Sequence, residues 1–229
     1  MQVRTVNVSD ADGISAELFF DALTGFYDLS KARALDMFAR TGQLTVSKYA
    51  PWVASVDAWE LNHEHEAALK ALGPKINVRI GCSYLTASLF EGRYDLIVID
   101  SPQGAHKDYS GAVRYEHFHA LKQLPKLAKD RCIVVLYVNK APYDRAVEGE
   151  YGYDRYDEYD FQEWMKARAR FYGVNPQRLS ESVALYAYEQ EMAILGFKTV
   201  NTVIVPCYSD VPRKENYAFR VALEIVRYA

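Results

Sequence analysis

The residues Ala-Leu-Asp-Met-Phe-Ala-Arg-Thr-Gly-Gln-Leu-Thr (34–45) and Val-Ser-Lys-Tyr-Ala-Pro-Trp-Val-Ala-Ser-Val-Asp-Ala-Trp-Glu (46–60) decide the fold. They predict an apolar strand, a turn of small residues that opens a helix, and a second strand that ends in an acid. Such a turn exposes backbone N–H groups, and an acid about 20 residues further on accepts hydrogen bonds from ribose hydroxyls. Asp57 follows Gly42 by 15 residues, which fits a nucleotide cofactor. The alternative is a strand–turn–helix corner without a ligand.

Length and composition narrow the class of protein. The 229 residues are ample for one α/β domain, which we expect to span 1–229. The net charge of −3 gives no basic surplus for nucleic acid, although a local basic groove stays open. Cys82, Cys132 and Cys207 are odd in number and widely spaced, which argues against a disulfide framework. The sequence shows no apolar signal or membrane segment, so we expect a soluble, cytoplasmic protein.

Apolar runs alternate with helical stretches along most of the chain. Short apolar runs predict strands at 32–38, 52–56, 76–80, 94–99, 132–138, 197–205 and 217–226. Helices are predicted at 14–23, 115–128 and 181–195. A further helix is indicated by the apolar stripe of Leu61, His65, Leu69 and Leu72. This alternation predicts a parallel sheet with right-handed crossovers and helices on both faces.

The turn after the strand at 32–38 carries a recognisable motif. Its matching residues are Asp36, Phe38, Ala39, Thr41 and Gly42, with Arg40 at the position of a middle glycine. This resembles the Asp-x-Phe-Ala-Gly-x-Gly motif of class I S-adenosylmethionine-dependent methyltransferases. The last two predicted strands are similar to the closing hairpin of that fold. The resemblance implies a Rossmann-like, mostly parallel seven-stranded sheet with a C-terminal antiparallel hairpin.

The same resemblance implies a site for S-adenosylmethionine. An arginine at position 40 either points away from the ligand or reshapes the pocket, because glycine there allows close approach of the backbone. Ser83 takes the place of an acid that meets the adenine amino group, and Trp59 either lies against adenine or packs in the core. The implied cofactor residues are Asp36, Phe38, Ala39, Arg40, Thr41, Gly42, Asp57, Ala58, Trp59, Ser83, Tyr84 and Asp100.

The strand at 94–99 leads into a candidate substrate loop. The residues Asp100, Ser101, Pro102 and Gln103 resemble the Asp/Asn/Ser-Pro-Pro-Tyr loop of amino-group methyltransferases, without its second proline and aromatic. We expect Asp100 to orient the nucleophile or take up its proton, with Ser101, Pro102 and Gln103 beside the substrate. A plain strand-ending turn, in which Asp100 caps the loop, is the alternative.

These motifs lead to two hypotheses about function. The first is a methyltransferase that acts on a nucleobase amine of DNA or RNA, or else on a small molecule or peptide. The second is a methyltransferase-like binding module without catalysis, which Arg40, Ser83 and the missing loop aromatic favour. A Rossmann-like enzyme that does not methylate is a third, weaker option. The sequence does not indicate the oligomeric state.

Residues 141–180 form an insertion that the core fold does not require. This segment is rich in tyrosines and acids, with a short helix predicted at 161–171. It is interpreted either as a lid or substrate loop or as a solvated surface loop. For a nucleic-acid substrate, the candidate contacts are Lys107, Tyr109, Lys166, Arg168 and Arg170. No metal site is predicted, since the histidine pairs at 63/65 and 117/119 do not share a helix face.

Overall fold

The computed structural model describes residues 2–5, 16–89, 93–100, 105–107, 111–139, 158–174, 179–207 and 218–229. The strands are β1 (Gln2–Thr5), β2 (Arg33–Asp36), β3 (Ser55–Glu60), β4 (Ile76–Ile80), β5 (Tyr94–Ile99), β6 (Ala105–Lys107), β7 (Val113–Tyr115), β8 (Ala128–Asn139), β9 (Phe197–Cys207) and β10 (Ala218–Arg227). The helices are α1 (Ala16–Thr24), α2 (Val46–Tyr49), α3 (Glu66–Lys70), α4 (Ser83–Leu89), α5 (Phe118–Leu121), α6 (Leu124–Leu127), α7 (Glu158–Tyr172) and α8 (Glu181–Ile194). Two 3-10 turns lie at Ala50–Trp52 and His63–His65. No helix of these ranges is long and apolar enough to cross a membrane.

The main sheet has the order β1-β9-β10-β8-β5-β2-β3-β4. Strands β8, β5, β2, β3 and β4 are parallel neighbours, and β10 runs antiparallel between β8 and β9. The predicted seven-stranded, mostly parallel sheet with a closing antiparallel hairpin is therefore confirmed. β1 adds an eighth strand, parallel to β9 at the edge. The chain order reverses between β2 and β5, and ligands of open α/β sheets bind at the carboxyl ends of such strands.

The central strands are buried because helices cover both faces of the sheet. Successive side chains of a strand point to opposite faces. Leu35 and Ile97 enter one core, which includes residues of α4 to α8. Ala34 and Leu96 enter the other, with residues of α1 to α3. The prediction of helices on both faces is confirmed.

Several element boundaries differ from the sequence predictions. The strand predicted at 52–56 lies instead at Ser55–Glu60, because the chain around Pro51 forms a 3-10 turn. The helix predicted at 115–128 is two short helices, α5 and α6. Pro125 explains this break, since proline has no N–H to bond the carbonyl four residues earlier, that of Leu121. The insertion helix is longer than predicted, and α4 was not predicted.

Candidate functional site

Three acids lie at the carboxyl ends of adjacent parallel strands. Asp36 ends β2, Glu60 ends β3, and Asp100 directly follows β5. Asp36 and Glu60 are buried, and Asp100 is partly buried. Burial is the largest cause that raises the pKa of Asp36 to about 7, and the negative charges of Asp100 and Glu60 contribute in the same direction. The fold thus concentrates negative charge at the point where the strand order reverses.

Asp36 is held by groups of its own loop and of α2. The backbone N–H of Phe38 donates to Oδ1 at 3.2 Å, and the hydroxyl of Tyr49 donates to Oδ2 at 3.2 Å. Tyr49 is fully buried on α2. The carboxyl therefore fixes the start of the loop against the helix that follows it.

The loop after β2 keeps the backbone shape that the motif requires. Arg40 has φ of +51° and Gly42 has φ of +74°, both in the left-handed region that favours glycine. The side chain of Arg40 is exposed, so it is not packed inside the loop. Gly42 is also needed for packing, because a Cβ there would lie 2.5 Å from Cδ1 of Leu72 and 2.8 Å from Cδ2 of Leu69.

Glu60 binds this loop from the neighbouring strand. Its Oε2 accepts the backbone N–H of Arg40 at 2.6 Å, and its Oε1 accepts the N–H of Asn62 at 2.8 Å. The N–H of Ala39 donates to the carbonyl of Trp59 at 2.9 Å. Sequence reasoning missed Glu60 because the end of β3 was placed four residues too early, at 56. The signal that could have identified Glu60 is that it is the next acid after Asp57, two residues before the polar run 62–66.

Asp57 does not join this cluster. It is the third residue of β3, and its carboxylate accepts hydrogen bonds from Arg33 Nη2 at 2.6 Å and from the hydroxyl of Tyr94 at 2.7 Å. Asn77 Nδ2 donates to its other oxygen at 3.1 Å. Arg33 and Tyr94 are the first residues of β2 and β5. Asp57 thus ties together the amino-terminal parts of the strands, and the structure places it away from the edge where Glu60 lies.

The next two residues of β3 are core residues. Ala58 is fully buried on the face covered by α1 to α3. Trp59 is 1% exposed and packs on the opposite face. The packing interpretation of Trp59 therefore holds in this structure.

Ser83 and Tyr84 begin α4 beside the loop. The hydroxyl of Ser83 donates to the carbonyl of Met37, so it holds the start of the loop against α4. The ring of Tyr84 lies 5.7 Å from that of Phe38, and the guanidinium carbon of Arg114 lies 5.3 Å above the Tyr84 ring. Phe38, Tyr84 and Arg114 form what we call the aromatic patch.

Asp100 links the loop to the closing hairpin. Its Oδ2 accepts the hydroxyl of Thr45 at 2.8 Å, and its Oδ1 lies 3.3 Å from Nε of Arg220 on β10. The guanidinium of Arg220 in turn lies 4.9 Å above the ring of Tyr137 on β8. Asp100 is therefore fixed on two sides. The other three predicted substrate-loop residues, Ser101, Pro102 and Gln103, lie outside the described residues.

The three cations of α7 that were predicted to contact nucleic acid differ in their surroundings. Arg168 is fully buried and forms an ion pair with Glu116, so its expected role as a surface cation is wrong. Lys166 pairs with Glu163 at 2.7 Å on the surface of α7. Arg170 is exposed and borders a groove of about 610 Å³ between α5, α7 and α8. Side chains of Lys107 and Tyr109 lie outside the described part of the chain.

Comparisons with known proteins agree on the fold. No family model matches the sequence, and no curated protein matches it. The solved structure of TYW2 from M. jannaschii, in complex with AdoMet, superposes with a TM-score of 0.55 over 97% of this chain and 80% of its own, at 13% identity. PH1948 from Pyrococcus horikoshii, a candidate RNA methyltransferase, gives a TM-score of 0.54 over 93% and 84%, at 15% identity.

A third solved structure has the same architecture. SMU.776, a candidate methyltransferase complexed with SAH, gives a TM-score of 0.55 at 11% identity, over 86% of this chain and 46% of its own. Identities this low show a common fold and nothing finer. The chain shares the Rossmann-like α/β fold of these solved structures, two of which are described as candidate methyltransferases and one as a complex with AdoMet.

Proposed function

We propose that the protein binds S-adenosylmethionine at the carboxyl edge of the sheet and transfers its methyl group to a nitrogen of an RNA base. One observation carries this proposal. The acids Asp36, Glu60 and Asp100 end three adjacent strands around a loop with two left-handed residues. The solved neighbours with this fold include proteins described with AdoMet and with SAH.

The charges of the site fit this cofactor. S-adenosylmethionine carries an ammonium and a sulfonium group, and buried carboxylates stabilise cations far more than exposed ones do. Asp36 and Asp100 lie on either side of the strand-order reversal and would face the cationic end. Glu60, at the end of β3, would accept hydrogen bonds from ribose hydroxyls, the role that the sequence pattern assigned to Asp57. When bound, the cofactor supplies an electrophilic methyl group.

The acceptor follows from the other half of the site. Asp100 is fixed by Thr45 and Arg220, so it can orient an acceptor N–H for in-line attack. In the aromatic patch, Tyr84 is buried, but Phe38 and Arg114 are partly exposed and offer a ring and a guanidinium, which are groups on which proteins stack RNA bases. The description of PH1948 as a candidate RNA methyltransferase favours RNA over DNA. A small molecule or peptide acceptor remains the alternative.

Calorimetric titration with S-adenosylmethionine and S-adenosylhomocysteine tests the cofactor part of the proposal. Wild-type protein should bind both, and Glu60→Gln should weaken binding about 10- to 100-fold, since charge-assisted hydrogen bonds contribute roughly 1.5 to 3 kcal/mol. Glu64→Gln is the matched control, because Glu64 is an exposed acid in the 3-10 turn just after β3. It should bind like wild type.

Asp57→Asn separates the two candidate ribose acids. This substitution should lower the free energy of unfolding by about 1 to 3 kcal/mol, since it weakens the bonds to Arg33 and to the buried hydroxyl of Tyr94. Its affinity for S-adenosylhomocysteine should stay within about twofold of wild type. Weaker binding by Asp57→Asn with normal binding by Glu60→Gln would reverse the assignment. No binding by folded wild-type protein would refute the proposed function.

A binding module without catalysis is the second candidate. It is favoured by Ser83, whose hydroxyl is engaged with Met37, and by Glu60, whose two oxygens already accept backbone N–H groups. Transfer of a labelled methyl group to total RNA distinguishes the two functions. Labelled RNA supports the enzyme. Tight cofactor binding without transfer to RNA, small molecules or peptides supports the module.

A further inference from the structure

Two residues other than glycine have a positive φ in the described part of the chain. They are Arg40, at +51°, and Glu116, at +44°. This backbone conformation is costly for a residue with a Cβ and persists where other requirements outweigh the cost. A glycine would avoid the cost at either position. The side chain is therefore the feature to be explained.

Contacts within the fold explain Glu116. Its carboxylate is buried, forms an ion pair with Arg168, and accepts hydrogen bonds from Trp164 Nε1 at 3.0 Å and from the hydroxyl of Tyr172 at 3.4 Å. Removal of this side chain would leave a buried guanidinium without its counter-charge. The strain at Glu116 is thus linked to the folded core.

Contacts within the fold do not explain Arg40. Within the described part of the chain, the hydrogen bond found for Arg40 is that of its backbone N–H to Oε2 of Glu60, at 2.6 Å. A glycine would donate that bond equally well and without strain. The side chain of Arg40 is exposed and forms no ion pair with any residue that the structure describes. Contacts among the described residues therefore do not account for the side chain of Arg40.

The surroundings of Arg40 indicate the chemistry of its partner. It is the only cation in the loop 37–45, and that loop lies among Asp36, Glu60 and Asp100. A guanidinium binds carboxylate and phosphate groups through two parallel N–H donors. We propose that Arg40 binds an oxyanion of the ligand at this edge. That oxyanion is the carboxylate of the cofactor or a phosphate of the RNA acceptor, and the inference rests on the proposed function.

The test compares ligands that differ in the oxyanion. Wild type and Arg40→Gly are titrated with S-adenosylhomocysteine, with 5′-methylthioadenosine, which lacks the amino-acid carboxylate, and with a short RNA. Arg40→Lys keeps the charge without the planar donor pair. Lys31→Ala is the matched control, because Lys31 is an exposed cation at the opposite, amino-terminal edge of the sheet, two residues before β2. Urea unfolding confirms that each variant is folded.

The two possible oxyanions, the cofactor carboxylate and an RNA phosphate, predict different changes in affinity. If the carboxylate is the partner, Arg40→Gly binds S-adenosylhomocysteine about tenfold or more weakly, and 5′-methylthioadenosine normally. If a phosphate is the partner, only RNA binding weakens, and its dependence on salt becomes shallower. Arg40→Lys should recover part of either loss, and Lys31→Ala should bind like wild type.

Two results would overturn the proposal for Arg40. One is equal affinity of wild type and Arg40→Gly for all three ligands. The other is an equal loss of affinity for S-adenosylhomocysteine and 5′-methylthioadenosine with unchanged RNA binding, since that pattern shows a distorted adenosine site. Failure of the wild-type protein to bind either adenosine ligand would instead refute the proposed function.

Discussion

Gly42 is the position at which the loop after β2 is most sensitive to a single methyl group. Gly42→Ala changes two terms, the backbone conformation and the packing. A left-handed φ of +74° costs alanine about 1 to 2 kcal/mol, and the reduced freedom of the unfolded chain offsets about 0.4 to 1 kcal/mol of that. The new Cβ would also lie 2.5 Å from Leu72 and 2.8 Å from Leu69.

The packing term is the larger one. Leu72 is only partly buried and can move outwards, but Leu69 is fully buried and cannot. Overpacking of this kind costs about 1 to 3 kcal/mol. Gly111→Ala is the matched control, because Gly111 has φ of +79° and no described residue has an atom within 4 Å of an added Cβ.

Urea unfolding followed by tryptophan fluorescence measures both variants. We expect Gly42→Ala to lower the free energy of unfolding by about 1 to 3 kcal/mol more than Gly111→Ala does. The slope of that free energy with urea concentration should be the same in both variants. Because the loop carries the amide bonded to Glu60, Gly42→Ala should also weaken S-adenosylhomocysteine binding, whereas Gly111→Ala should not. Equal losses of stability in the two variants would show that Gly42 is not packed as described.

Two further predictions concern buried charges. Burial, with the charges of Asp100 and Glu60, raises the pKa of Asp36 from 3.8 to about 7, so the cost of ionising it in the folded state is absent below about pH 4 and complete above about pH 7. Between pH 5 and pH 8, the free energy of unfolding of Asp36→Asn, measured with urea, should therefore rise by about 2 to 3 kcal/mol relative to that of the wild type. A difference between the two proteins that does not change with pH would contradict the raised pKa. Arg168→Met leaves the carboxylate of Glu116 buried without its counter-charge and should cost about 3 to 5 kcal/mol. The surface control Lys166→Met should cost less than about 1 kcal/mol, and similar losses in both variants would mean that Arg168 is solvated.

The sequence by itself determined the order of the elements and the class of sheet. The strands at Ile76–Ile80 and Tyr94–Ile99 have the predicted bounds, because a short apolar run between polar residues is a local signal. The closing hairpin was also readable from two long apolar runs. The loop after β2 was recognisable because its turn needs small residues at fixed spacings, and Gly42 satisfies that need.

The tertiary structure decided which polar residues meet at the site. Glu60 lies at the edge of the sheet and Asp57 does not, because the pairing of β3 with β2 and β4 sets where β3 ends. Those two strands are separate segments of the chain, so the residues of β3 alone do not indicate this end. The burial of Trp59 and of Arg168 depends on helices that are distant in sequence. Arg40 shows the same limit, since its residue type left open whether it points away or reshapes the pocket, and only the structure shows its positive φ and its exposed side chain. Strand register, burial and backbone conformation arise from contacts between separated segments, and local patterns do not contain them.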